Sequence, residues 1–355
     1  MKIAMLSPVA WRTPPRQYGP WEQVVSNLTE GLVKRNIDVT LFATGDSVTE
    51  AKLRSIIRKS YNEDSEQDPK VMECLHIGFA MEQAHEFDLI HNHFDFLPLT
   101  YSRLTTTPML TTIHGFSSPK ILHAYKQYDA FVDYVSISNS DRSPDLPYIA
   151  TVYNGINPAL FSFNNEPKEY LLCFNRIHPD KGVDIAIDIA RKAKRQLLIA
   201  GLIQDEKYFE EKIKPFVDND TVIYRGNANP EERNELLRNA FAVLHPIRFN
   251  EPFGLSVAEA MMCGTPVIAF NRGSMPELIR NKETGFLVDN SEEAVEAVNR
   301  ISLIDRNRCR SWAMEMFSAE KMVDGYIAVY EKILSARRKK KIPVMTADLQ
   351  KGGNI

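Results

Sequence analysis

Short apolar runs alternate with amphipathic stretches along this chain, and the alternation occurs twice over. It is the pattern of a parallel sheet covered by helices. In the first half the expected strands are Ile3–Leu6, Val39–Ala43, Leu89–His91, Met109–Ile113 and Tyr134–Ile137. The stretch Trp21–Arg35 places Val24, Val25, Leu28 and Leu32 on one face of a helix. In the second half the expected strands are Leu171–Phe174, Leu197–Ala200, Val222–Tyr224, Ala242–His245 and Val267–Phe270. A length of 355 residues suits two such α/β domains. The junction is expected between Asn154 and Glu169, where Asn154-Gly155, Asn157-Pro158 and Asn164-Asn165 are turn-forming pairs. That divides the chain into 1–160 and 161–318, followed by helices and a polar tail, 342–355, expected to be flexible.

The stretch Glu251-Pro252-Phe253-Gly254-Leu255-Ser256-Val257-Ala258-Glu259 sets two carboxylates around a Phe-Gly-Leu turn. The small apolar run Ala260–Cys263 and then Gly264-Thr265-Pro266 predict a helix from near Gly254 to Gly264. Glu251 then lies in the loop before the helix and Glu259 inside it. A carboxylate only accepts hydrogen bonds, so it suits the paired hydroxyls of a sugar or ribose. The backbone N–H groups of Phe253, Gly254 and Leu255, at the helix start, suit a phosphate.

Arg176 and Lys181 flank a Pro-Asp turn directly after the strand Leu171–Phe174. Ligands bind at the carboxyl ends of parallel strands. Two cations there neutralise a diphosphate and stabilise the charge that develops as it leaves. The plainer alternative is a pair of loop cations. His114 ends the strand Met109–Ile113, where it is either a cleft residue or a histidine satisfied in the core. His91 and His93 end another strand and are candidates for an acceptor side; their spacing alone does not make a metal site. The loop Thr13–Pro20 precedes the first helix, and its Arg16, Tyr18 and Gly19, with Trp21, are candidates for an acceptor or phosphate loop. It carries no G-x-G-x-x-G, so a dehydrogenase-type dinucleotide site is not supported. Asp218-Asn219-Asp220 reads as a surface turn, and no essential metal is expected. Ser274-Met275-Pro276-Glu277 has the spacing of a helix capping box.

Glu251 through Glu259, with Cys263-Gly264-Thr265-Pro266-Val267-Ile268-Ala269 after it, closely resembles the E-x7-E motif of retaining glycosyltransferases of the GT-B fold, family 4 (glycosyl transferases group 1). The resemblance extends over nearly the whole chain, through the opening strand with its Gly loop, Thr112-Ile113-His114-Gly115, Asn154-Gly155-Ile156, and Arg176 through Lys181-Gly182. It implies two Rossmann-like domains facing across a cleft, the first on the acceptor side and the second binding the donor, with a C-terminal helix near 319–338 crossing back to the first. It implies that Glu251 contacts donor-sugar hydroxyls, Glu259 holds the ribose, Arg176 and Lys181 serve the diphosphate, and His114 lies against the donor sugar. The base is expected near Tyr224-Arg225-Gly226-Asn227. Where the family has a second glycine this chain has Pro20, which removes one N–H donor. The activity implied is metal-independent, retaining transfer of a hexose from a nucleoside-diphosphate sugar to a carbohydrate, lipid-linked or small-molecule hydroxyl acceptor, by front-side attack and without a cofactor.

Composition bounds the alternatives. A net charge of −3 gives no sign of a nucleic-acid binder. Four cysteines without paired spacing fit free thiols in a reducing compartment, and the opening segment fits a buried strand better than a secretory signal. A cytoplasmic protein is expected, with contact to a membrane surface not required. Arg337–Lys341 suits either a solvated helix end or an anionic membrane, and Lys52–Lys59 either a packed helix or an interfacial one. Rival activities are a nucleotide-sugar epimerase or a glycan phosphorylase on the same fold, and a silent glycosyltransferase-like partner protein. The last would be expected to have lost Lys181 or a carboxylate of the pair.

Overall fold

The computed structural model describes residues 1–115 and 119–341; the polar tail lies outside the described residues, as do the side chains of 338–341. Strands β1 (Lys2–Leu6), β2 (Asp38–Phe42), β3 (Lys52–Arg54), β4 (Leu89–Asn92), β5 (Met109–Ile113), β6 (Val132–Ser136) and β7 (Tyr148–Thr151) form one parallel sheet, in the order β3-β2-β1-β4-β5-β6-β7. Strands β8 (Leu171–Phe174), β9 (Leu197–Ala200), β10 (Val222–Tyr224), β11 (Ala242–His245), β12 (Val267–Phe270) and β13 (Gly285–Val288) form the other, in the order β10-β9-β8-β11-β12-β13. The central strands are apolar and buried on both faces, as a sheet sandwiched by helices requires. These are two Rossmann-like α/β domains. Each order reverses direction beside its first strand, at β1/β4 and at β8/β11. The crevice outside the carboxyl ends of such neighbours is where this architecture binds ligands.

Three edge strands, β3, β7 and β13, lie outside the runs that apolar patterning picks out. β3 and β7 are half exposed and mixed in sequence, whereas β13 is short, apolar and largely buried. β3 corrects the helix expected over Lys52–Lys59. Lys52, Leu53 and Arg54 pair with Thr40, Leu41 and Phe42 of β2, and Arg54 clamps Glu86 at 2.8 Å. The chain then turns, burying Ile57 and leaving Ile56 exposed.

The helix Ala319–Lys341 leaves the second domain and packs on the first. Its Met322, Val323, Tyr326, Val329, Tyr330 and Ile333 join the core formed by Val24, Val25, Leu28 and Leu32 of the first helix (Pro20–Lys34) and residues of β1 and β2. The chain thus crosses between domains twice, and the crossings are tied together. The Ile156 amide donates to Phe317 at 2.8 Å, and the Ala319 amide donates to Ile156 at 2.8 Å. At the helix end Arg337 donates to the Thr106 carbonyl at 3.3 Å. Among the described residues, no helix is long and apolar enough to cross a membrane.

Candidate functional site

The second domain brings its charged side chains to the β8/β11 reversal. β8 leads directly into Asn175 and Arg176, and one tight turn, Pro179–Lys181, brings Lys181 back over the sheet. β11 ends in His245, and the loop beyond it delivers Glu251. Lys181 and Glu251 form a largely buried ion pair, with side chains 10% and 13% exposed. The Lys181 ammonium also lies 4.7 Å from the centre of the Phe249 ring. Burial pushes the Glu251 carboxyl up, but Lys181 and His245 outweigh it and hold it at about 2. Two features of the turn after β12 fix the Glu251 loop. The Ser274 amide donates to the Glu251 carbonyl at 3.0 Å. Gly273 lies so close that a Cβ on it would come within 2.3 Å of the Glu251 nitrogen; its φ of +57° also disfavours a side chain.

The helix carrying Glu259 spans Leu255–Met262 and begins after Gly254, whose φ of +90° turns the chain sharply into it. The amides of Phe253, Gly254 and Leu255 meet at that start, where a helix leaves N–H groups without intrahelical partners. Glu259 is 5% exposed, and Arg233 donates to it at 3.1 Å. Burial raises its pKa despite Arg233. Arg176 is anchored by Asp180 at 2.8 Å and by Gln204.

The first domain supplies the opposite wall. His114 ends β5, and the Trp21 indole stacks on it at 5.3 Å, with the planes 23° apart. Behind His114 runs a buried polar chain. His93 Nδ1 is 2.9 Å from His114 Nε2, and His91 Nδ1 is 3.3 Å from His93 Nε2. His91 also meets Tyr330 at 2.7 Å and Thr112 at 2.8 Å, and Thr112 meets Tyr326 at 2.7 Å. Burial keeps all three imidazoles neutral, pushing His114 down to about 3. His91 and His93 therefore do not line an acceptor side. They are wholly buried and connect His114 to the returning C-terminal helix.

Between the walls lies a cleft of about 420 Å3 that brings together His114, Arg176, Lys181, Glu251, Phe253, Gly254, Leu255, Glu259, Tyr18 and Gly19. Arg16 is not among them. It is exposed and paired with Glu63 at 2.8 Å and Asp46 at 3.1 Å. Arg225 is exposed and does not line the cleft, whereas Asn227 and Ala228 do. Asp218 is spent on a surface turn, accepting from the amides of Asp220, Thr221 and Val222. The capping box expected at Ser274–Glu277 does not form. Ser274 Oγ donates instead to the Phe253 carbonyl at 2.7 Å. Glu277 reaches the first domain, accepting from the amides of Asn139 and Ser140 at 2.9 and 2.7 Å and from the Tyr153 hydroxyl at 2.9 Å.

Four further residues belong to the site. Asn175 approaches His245 Nδ1 at 3.4 Å, His245 stands 3.6 Å from Glu251, and Arg233 neutralises Glu259. Glu277 holds the two walls together. His245 ends a strand and Asn175 directly follows one; Arg233 and Glu277 carry no such signal. The partners of the others come from distant segments.

Two Rossmann-like domains, with the charged residues at the β8/β11 reversal of one and a histidine at the end of β5 of the other, follow the GT-B plan. The family described as glycosyl transferases group 1 matches residues 160–315, and glycosyltransferase family 4 matches residues 21–142. The two matches together span most of the chain and support a group 1 glycosyltransferase of the GT-B plan. It is 26% identical to an uncharacterized glycosyltransferase of Methanocaldococcus jannaschii, over 90% of this chain and 97% of that one. It is 24% identical to the glycogen synthase of Mycobacterium tuberculosis, over 80% and 81%. Among solved structures, the sucrose-phosphate synthase of Thermosynechococcus elongatus superposes with a TM-score of 0.76, at 19% identity over 95% of this chain and all of that one. HepE of Anabaena, solved with UDP, superposes with a TM-score of 0.71, at 19% identity over 94% of this chain and all of that one.

Proposed function

We propose that this chain transfers a hexose from a nucleoside-diphosphate sugar to an acceptor hydroxyl, with retention of anomeric configuration and without a metal ion or cofactor. The observation that carries this is the pairing of Lys181 with Glu251 beside Arg176 and the Phe253–Leu255 amides, opposite His114 in one cleft. Glu251 would take donor-sugar hydroxyls and Glu259 the ribose diol, both as acceptors. Arg176, Lys181 and the helix-start amides would hold the diphosphate. HepE, solved with UDP and with UDP-glucose, supports a donor of this class. Arg176 and Lys181 both line the cleft and would supply the positive charge that a leaving diphosphate needs.

In this reaction the bond from the anomeric carbon to the diphosphate breaks. A bond to the acceptor oxygen forms on the same face, and the acceptor proton passes to the leaving phosphate oxygen. His114 favours this course over inversion. An inverting enzyme needs a base matched to the working pH, and an imidazole held at about 3 is a poor one. It can still orient a hydroxyl. The free, largely buried thiols support a reducing compartment such as the cytoplasm.

The test begins with a thermal-shift panel of nucleoside diphosphates and their sugars, since ligands of the folded state raise its stability. Transfer is then followed in the presence of a chelator. An α-linked donor should give an α-linked product, read from anomeric couplings in the NMR spectrum of the first-formed glycoside. A β product would overturn retention and make His114 the base to examine. Activity that vanishes on chelation and returns with magnesium or manganese would overturn metal independence.

A further inference from the structure

Building on that transferase reading, we infer that the acceptor is an uncharged carbohydrate whose ring lies on Trp21 and whose hydroxyls bond to Asn154. The two walls of the cleft differ in kind. Among the described residues, the second domain contributes every charge that lines it: Arg176, Lys181, Arg233, Glu251 and Glu259. The described first-domain residues that face them are aromatic, apolar or carboxamide, with Tyr18, Trp21, Gln17, Gln23 and Asn154 foremost. His114 joins them as a neutral ring. Arg16, the cation of the loop nearest the cleft, is turned outward onto Glu63 and Asp46. Arg12 donates to the Pro14 carbonyl at 3.0 Å and does not line the cleft. An acceptor phosphate or carboxylate seated on this wall would lose its water without gaining a counter-charge, which is costly.

The same wall is suited to a polyol. Asn154 is 3% exposed and lines the cleft, yet its Oδ1 has no hydrogen-bond partner. Buried polar atoms are nearly always paired, so an unpartnered oxygen on a residue that lines the cleft marks a place for a ligand donor. A carboxamide oxygen accepts from a hydroxyl and repels an anion. Trp21 is half-buried, and its stacking on His114 fixes the orientation of the indole. A flat aromatic ring offers a large apolar surface at small entropic cost, which matches the C–H face of a sugar ring while its hydroxyls point to the carboxamides. Few precisely placed polar groups around an aromatic floor are the usual make-up of a specific small-molecule site.

The test compares neutral sugars with their charged counterparts. Protein saturated with the best nucleoside diphosphate of UDP, GDP and ADP is titrated with methyl glycosides and disaccharides, and with the matching sugar 6-phosphates and uronates. Tryptophan fluorescence is read in the wild type and in Trp21→Phe. At least one neutral sugar should bind about tenfold more tightly than its phosphate and its uronate, with a fluorescence change that Trp21→Phe loses. In transfer assays, Trp21→Ala and Asn154→Ala should each raise the acceptor KM by about tenfold or more, leaving nucleotide affinity unchanged. A charged sugar that binds as well as its neutral counterpart overturns the inference, as does an unaltered acceptor KM in both alanine variants. Failure of every nucleoside diphosphate to bind is a distinct result that counts against the transferase reading itself.

Discussion

At the scale of single residues, the cleft holds two carboxylates in opposite electrostatic settings. Glu251 faces Lys181 and His245 and is held ionised. Glu259 faces Arg233 alone, and burial pushes its pKa up. A ribose diol donating to Glu259 would add hydrogen bonds to the one it accepts from Arg233. Glu259→Gln keeps the shape and removes the charge. It should weaken nucleoside-diphosphate binding by about 1.5–3 kcal/mol, the worth of a hydrogen bond to a charged group. Calorimetry measures this, with melting temperature followed on the same sample because Arg233 loses its partner. Unchanged affinity would remove Glu259 from the nucleotide site. Both glutamates are legible in the sequence because their signal is local: a turn, a helix start and a fixed spacing. Arg233 is not, since it comes from another helix and pairs with Glu259 only through the tertiary fold.

At the scale of elements, the first helix starts on a buried acid. Glu22 is 2% exposed and accepts from the Trp11 amide at 3.1 Å, so it ties the loop before the helix to the helix itself. Burial raises its pKa from 4.5 to about 7. The folded state therefore binds the Glu22 proton more tightly than the unfolded chain. The stability this supplies is complete below pH 4.5 and is lost as pH rises through 7. Glu22→Gln cannot ionise and keeps an oxygen for Trp11. Relative to wild type it should gain about 3 kcal/mol between about pH 4.5 and pH 8.5, because each tenfold difference in proton affinity between the folded and unfolded states is worth roughly 1.4 kcal/mol. Denaturant melts of both proteins at the two pH values decide it; a constant difference would mean that Glu22 is solvated. The elements themselves are plain in the sequence where strands are apolar, including the edge strand β10, and obscure where an edge is of mixed sequence, as in β3 and β7. Lys52–Arg54 is a strand because β2 offers it a free edge, which no local pattern announces.

At the scale of the whole molecule, the cleft is bounded by contacts that join the two domains. Its hinge side is the tied pair of crossings at Ile156 and Phe317–Ala319. Nearer the ligand, Asn227 donates to Gln17 at 3.0 Å, and Pro252 lies against Gly115 so closely that a Cβ there would meet it at 2.8 Å. The strongest bridge is Glu277, with three donors from the first domain and its linker. Sequence spacing suggests a capping role for Glu277, and it fails because the carboxylate finds better donors in Asn139 and Ser140, 138 and 137 residues away. A carboxylate shared across domains in this way favours the closed arrangement, in which both walls reach the ligand. Breaking it should shift the population toward an open cleft and lower apparent donor affinity by the fraction that remains closed. For Glu277→Ala we expect roughly tenfold weaker nucleoside-diphosphate binding, about 1.4 kcal/mol, with a larger radius of gyration by small-angle scattering. Saturating ligand should restore the compact profile, since a ligand that touches both walls repays the lost bridge. A variant with the wild-type scattering profile and wild-type affinity would show that the domains are held together by the hinge crossings and the C-terminal helix alone.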